Sequence, residues 1–241
     1  MNQTIDIDPL IVVDDHSDDE TQTCARDAGA EVITAPRHRN QARTLRICET
    51  VNRGLGQMPP DLDYVMIVGA DNIIPPSWSE EMIVRMARNG VVIGSGRVRG
   101  SKMTRTPRGS RIVNYQWWIE EGDPPGLYRE VYCWETYLVL LAWQKGYRTS
   151  VYEDLVSSPM RPVSSFTDWR DRGRGMRQCG ANILQVYWRA VGIAATKDIC
   201  GAAELLTSYL ESDLESDDWL VSLQKKLIRN RLGARLRSIF R

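Results

Sequence analysis

The chain has 241 residues, 42% hydrophobic and 26% charged, with 31 basic and 31 acidic side chains. That length holds one generous domain or two small ones with a real core, and the composition excludes global disorder and fibrous classes. A net charge of zero argues against a dedicated nucleic-acid binder, and no apolar run approaches the ~18 residues needed to span a bilayer. The start, MNQTIDIDPL, lacks the basic and apolar regions of a secretory signal. Cys24, Cys48, Cys133, Cys179 and Cys200 are odd in number and far apart, so they read as reduced thiols of a cytoplasmic protein.

Short β-branched runs at 10–13, 31–34, 64–68 and 91–93 predict strands buried on both faces. Helical patterns lie between them near 20–28, 41–55 and 78–89. Ser77 and Glu80 sit where a capping box would start the last of these. This alternation predicts an α/β fold with a mostly parallel sheet flanked by helices. Residues 97–111 carry Arg97, Arg99, Lys102, Arg105, Arg108 and Arg111 with no acid, and read as a basic loop. After the turn Asp123-Pro-Pro-Gly126, a helix is expected over 131–145 and a short strand over 148–152. An arginine-rich stretch then covers 161–177. The remainder reads as helical, with an acidic patch at 211–218 and a basic helix over 219–241. The expected division is a domain over 1–180 and a helical C-terminal extension over 181–241.

In open α/β sheets, ligands bind beyond the carboxyl ends of the strands. The first strand runs into Asp14-Asp15-His16-Ser17-Asp18-Asp19-Glu20, five acids in seven residues. Such crowding is costly unless the acids are solvated, bonded to a ligand or placed at a helix start. The third strand ends in Gly69-Ala70-Asp71-Asn72, a carboxylate at a sheet edge that suits a hard divalent cation bridging to phosphate. The plainer alternatives are a helix start dressed with acids and an Asp that begins a turn.

In order and spacing, residues 10–180 resemble family-2 glycosyltransferases of the nucleotide-sugar-binding GT-A fold. The resemblance rests on Ile11-Val-Val-Asp14-Asp15-His16-Ser17, on Asn52-Arg53-Gly54-Leu55, and on the strand running into Asp71. It extends to Glu135, eleven residues before Gly146-Tyr147-Arg148, and more loosely to Trp169-Arg170-Asp171-Arg172-Gly173-Arg174. It implies that Asp15 or Asp14 contacts the nucleobase, with Arg46 on the intervening helix. Asp71 would hold Mn²⁺ or Mg²⁺ against the diphosphate, Arg172 and Arg174 would contact the same oxygens, and Glu135 would be the catalytic base. The implied function is an inverting glycosyltransferase that uses a nucleotide-diphosphate sugar and a glycan, lipid-linked or protein acceptor. The alternative is a non-catalytic nucleotide-sugar-binding relative.

Three features depart from the family pattern. The family's first strand has no counterpart before residue 10, and 1–9 is not expected to supply one. Gly69 stands in place of the first acid of the metal motif, and the arginine-rich phrase lacks its tryptophan.

On a helix, Glu135 shares a face with Leu138, Val139 and Ala142, which turns its carboxylate inward. A buried Glu paired with an arginine would look the same. Trp117 and Trp118 lie where the family shapes its acceptor site, although paired tryptophans also suit a core. Gly94-x-Gly96-x-x-x-Gly100 opens into the basic loop and not a helix, so a dinucleotide-binding reading fails. His16 and His38 read as surface residues. Leu220, Leu223, Leu227, Leu232, Leu236 and Ile239, among seven positive charges after Asp218, predict a basic amphipathic helix on an anionic membrane surface.

Overall fold

The computed structural model describes residues 3–37, 42–100, 106–107, 109–160 and 168–239, with side chains as far as residue 230. His38, Lys102, Arg105, Arg108 and Arg161, and Leu232, Leu236 and Ile239 as side chains, lie outside this description. The chain divides into two compact units: Met1–Glu130 with Leu141–Ser165, and Val131–Leu140 with Phe166–Arg241.

In the first unit, β1 (Ile11–Asp14) and β2 (Glu31–Thr34) form a parallel pair joined through α1 (Thr21–Asp27). Helix α2 (Arg43–Leu55) packs closely on β1, because a Cβ at Gly54 would lie 2.9 Å from Val13 Cγ2. A second sheet comprises β3 (Tyr64–Ile67), β4 (Asn72–Ile73), β5 (Val91–Val98), β6 (Arg111–Asn114) and β7 (Arg148–Pro159), in the order β3-β6-β5-β7-β4. The β5–β7 ladder is parallel, while β3–β6, β5–β6 and β4–β7 are antiparallel. The sheet is therefore mixed where a mostly parallel one was expected. The difference comes from β6 and from the two-residue edge strand β4, neither of which is among the expected strands.

Helix α3 (Trp78–Asn89) covers this sheet with Trp78, Met82 and Met86 against Val91, Ile112 and Leu155. Gly94 and Gly96 are packing positions. A Cβ at Gly94 would meet Met86 Sδ at 2.6 Å, and one at Gly96 would meet Trp78 Nε1 at 2.8 Å and the Leu155 carbonyl. The capping box expected for α3 does not form. Ser77 Oγ instead donates to Glu81 at 2.8 Å, and Glu80 accepts from Thr4 Oγ1 at 2.6 Å. The free N–H of Ser79 is met by Gln3 Oε1 at 3.3 Å, so the N-terminal segment caps the helix. No strand forms among residues 3–10, as expected.

Helix α4 (Tyr115–Glu121) follows β6 directly, with Asn114 Oδ1 capping the Trp117 N–H at 2.8 Å. Helix α5 (Trp134–Gln144) runs from the second unit into the first. In the second unit, α6 (Trp169–Gln178), α7 (Ile183–Ala194) and α8 (Ile199–Leu210) pack around Val186, Ala190, Ile193, Ala202, Leu205 and Tyr209. Helix α9 (Asp218–Ile239) completes it. Leu220 on α9 is buried, whereas Lys225, Lys226 and Arg229 are exposed. Of the apolar row expected along α9, Leu220 is buried and Leu223 and Leu227 are half-buried, and its other members lie outside the described side chains. Among the described residues, no helix is long and apolar enough to cross a membrane.

Candidate functional site

Asp14 closes β1 with a buried carboxylate that accepts the Ser17 N–H at 3.2 Å and Gln22 Nε2 at 2.8 Å. Hydrogen bonding from the Ser17 side chain leads the influences that hold this carboxyl below its ordinary value. Gln22, the Ser17 backbone and the His16 charge act in the same direction, against desolvation. Asp14 is thereby used up inside the β1–α1 turn. Asp15, one residue on, is exposed, and its Oδ2 lies 3.1 Å from Arg46 Nε on α2. The structure therefore brings Asp15 and Arg46 together. His16 is half-buried and left-handed (φ 62°), its Nδ1 accepts from Arg37 Nε at 3.4 Å, and its buried Nε2 has no hydrogen-bond partner. This corrects its reading as a surface residue. The only signal in the sequence was its position inside the Asp-Asp-x-Ser phrase.

Asp71 lies where the chain leaves edge strand β3 and crosses to β4 at the opposite edge. Its carbonyl accepts the Met160 N–H at 2.7 Å, and its half-buried carboxylate accepts Asn72 Nδ2 at 3.2 Å. Asn72 Oδ1 is buried without a hydrogen-bond partner. A Cβ at Gly69 would stand 3.0 Å from Asp71 Oδ1 and 3.1 Å from Asn72 Nδ2. Both side chains thus face the space from which a residue-69 side chain would project. Among the described residues, no group of three or more His, Cys, Asp or Glu could by itself hold a metal. The half-buried Asp71 carboxylate is nonetheless a hard, partial donor. It fits a Mn²⁺ or Mg²⁺ ion that takes its remaining oxygens from a phosphate ligand.

The phrase Asn52-Arg53-Gly54-Leu55 is structural. Asn52 Nδ2 donates to the Tyr128 carbonyl at 2.7 Å and Oδ1 accepts the Tyr128 N–H at 2.8 Å, which ties α2 to the 127–129 segment. Cys48, on the same helix, is buried, and burial pushes its thiol up to about 12.

The family model described as glycosyl transferase family 2 matches residues 1–156. The chain belongs to glycosyl transferase family 2. Solved structures share its fold. One is the mannosyltransferase PcManGT from Pyrobaculum calidifontis in complex with GDP-Man and Mn²⁺, with a TM-score of 0.53 and 16% identity over 93% of this chain and 66% of that one. A second is S. aureus TarS 1-349 with UDP-GlcNAc, at 0.56 and 14% identity over 87% of this chain and 65% of that one. A third is glucosyl-3-phosphoglycerate synthase from Mycobacterium tuberculosis with Mn²⁺, uridine-diphosphate-glucose and phosphoglyceric acid, at 0.50 and 17% identity over 71% and 66%. The chain spans just under two thirds of the length of each. No curated protein matches it in sequence. Family and likeness together establish the GT-A-type α/β fold.

Other family positions are placed less simply. Glu135 sits half-buried in the first turn of α5. Tyr137, Leu138, Val139, Leu140, Leu141 and Ala142 are all buried, so α5 is apolar nearly all round. Leu138, Val139 and Ala142 of its predicted face are buried as expected, but a helix apolar nearly all round does not single out one face for function.

Arg172 and Arg174 are not brought together, because residues two apart on a helix point to different sides. Arg172 stacks over Trp169 at 5.3 Å, while Arg174 lies over Tyr132 at 5.6 Å and donates to its hydroxyl at 3.3 Å.

Trp117 and Trp118 are core residues, which corrects their reading as an acceptor platform. Both are buried; Trp118 packs edge-on against Tyr128 and donates to the Leu127 carbonyl at 3.2 Å, and Trp117 meets Tyr147. Neither ring offers a face to a sugar.

Proposed function

We propose that the chain is an inverting glycosyltransferase that moves a sugar from a nucleotide-diphosphate donor to an acceptor hydroxyl. The observation that carries this reading is the β1–α1 turn of a family-2 chain. Asp14 fixes the turn from within, and Asp15 is left outward beside Arg46. In this reading Asp15 accepts hydrogen bonds from the nucleobase and Arg46 orients both. Asp71 would hold Mn²⁺ or Mg²⁺, which when bound neutralises charge on the departing diphosphate. GDP-Man and Mn²⁺ in PcManGT, and UDP-GlcNAc in TarS, support this donor class. Glu135, at the family's base position, takes the acceptor hydroxyl proton as that oxygen bonds to the anomeric carbon and the bond to diphosphate breaks. Attack opposite the leaving group inverts the anomeric configuration. Arg172 and Arg174 add positive charge along α6.

The test is a thermal-shift panel of GDP- and UDP-sugars with and without Mn²⁺, followed by turnover with the stabilising donor. A donor at 100 times its Kd adds ~2.7 kcal/mol. Asp71→Asn keeps the shape but removes the charge a hard cation prefers, so it should abolish the Mn²⁺-dependent part of the shift. An undiminished shift in that variant refutes the metal assignment. Donor-dependent stabilisation without turnover selects the non-catalytic, nucleotide-sugar-binding alternative.

A further inference from the structure

Helix α7 is apolar on two sides. Val186, Ala190 and Ile193 are buried against α8, which is the ordinary core role of such a helix. A second, adjoining arc of about 140° carries Ile183, Leu184, Tyr187, Trp188 and Val191. These side chains are 46, 65, 52, 69 and 41% exposed, with the Tyr187 and Trp188 rings edge-on at 6.0 Å. Five large apolar groups in one contiguous, solvent-facing row are unusual unless something covers them.

Helix α7 itself carries no acidic residue. No acidic residue occurs between Asp171 and Asp198, while Arg189 and Lys197 flank the row. Helix α9 starts beside the N-terminal end of α7. Gln185 Nε2 donates to Gln224 Oε1 at 3.5 Å, and a Cβ at Gly180 would meet the Val221 nitrogen at 2.9 Å. Immediately after Gln224, α9 exposes Lys225, Lys226 and Arg229, and no acid follows Asp218 in the chain.

We propose that the exposed face of α7, edged by the cations of α9, docks this protein on an anionic lipid surface. The aromatic pair and Leu184 would enter the headgroup–acyl boundary, where amphipathic rings are favoured. The lysines would stay at the phosphate level, each attracted to a negatively charged leaflet. A second copy of the chain fits this face poorly, because self-association would bring the flanking cations of both copies together. This docking is independent of the donor site described above.

The full chain is to be co-sedimented with phosphatidylcholine vesicles, and with vesicles in which about one third of the lipid is phosphatidylglycerol. The wild type should bind the anionic vesicles in a salt-sensitive way and the neutral ones weakly. Leu184→Glu with Trp188→Glu removes the insertion face at exposed positions. It should lower partitioning at least about tenfold while the thermal midpoint stays unchanged. Lys225→Glu with Lys226→Glu should cost about tenfold or more on anionic vesicles and little on neutral ones. A wild type that does not sediment, or variants that bind as well as it does, overturns the proposal. So does light scattering showing a wild-type dimer that Leu184→Glu with Trp188→Glu converts to monomer.

Discussion

Asp14 and Asp15 are neighbours with opposite fates, and the difference lies in which hydrogen-bond donors reach them. Asp14 collects Ser17 and Gln22 and is buried, whereas Asp15 points out to Arg46. Because the Asp14 carboxyl is held below its ordinary value, its stabilising contribution is complete above the unfolded carboxylate pKa of about 3.9. It is lost as pH falls through the lower folded value. Asp14→Asn removes the negative charge that strengthens these hydrogen bonds, so it should lower stability at pH 7 by about 1–3 kcal/mol. Its melting temperature should also decline less steeply than that of the wild type on acidification below about pH 4. Thermal melts across an acid pH series check both expectations, and parallel curves for the two proteins would rule the linkage out. His16 and Asn72 share a different feature, a buried polar atom without a hydrogen-bond partner beside a family motif.

Glycines decide how closely the helices approach one another. Within α6 a Cβ at Gly173 would collide with Ser208 Oγ and stand 2.5 Å from the Leu205 carbonyl, so that position admits α8 only as glycine. Gly192, on the polar side of α7, has nothing within 4 Å. Alanine gains about 1 kcal/mol over glycine in a helix interior, and overpacking costs about 1–3 kcal/mol. Gly192→Ala should therefore raise stability by up to about 1 kcal/mol. Gly173→Ala should lower it, because backbone on α8 cannot move aside as a flexible side chain would. Urea unfolding of both variants gives the two signs, and equal shifts would mean that the α6–α8 approach is looser than the structure shows. The same reasoning explains Gly94 and Gly96, whose spacing suggests a phosphate-binding loop but which make room for Met86 and Trp78.

For the whole molecule, Glu135→Gln separates chemistry from binding. The amide is nearly isosteric, so the fold should persist, and the donor-induced thermal shift should equal that of the wild type. Turnover should fall by ~10²–10⁴-fold, the range of general-base contributions. Loss of rate with donor affinity unchanged marks an interaction made mainly in the transition state. Wild-type turnover would move the base elsewhere. Asp154 is then a poor substitute, since it is paired with Arg85 at 2.6 Å, and Arg85 also holds Glu81.

The family, the order of its motifs and β1, α1, β2, α2, β3 and α3 were legible in the sequence, because buried strands and amphipathic helices write local periodicity. Glu31–Thr34 and Trp78–Asn89 coincide with the expected ranges to the residue. Strand β6 and the length of β5 and β7 were not legible. β5 holds two glycines, β7 holds Glu153 and Asp154, and β6 adjoins the basic stretch, so pairing with distant strands and not local propensity makes them strands. The roles of Asp14 and Asp15, the burial of Trp117 and Trp118, and the divergence of Arg172 from Arg174 also depended on tertiary structure. Each turns on which partner lies across space, and a pattern of residue types does not contain that distance. The exposed row on α7 is the same case in reverse. Its periodicity is that of a core helix, and only the packing against α8 shows that half of the apolar surface has been left in water.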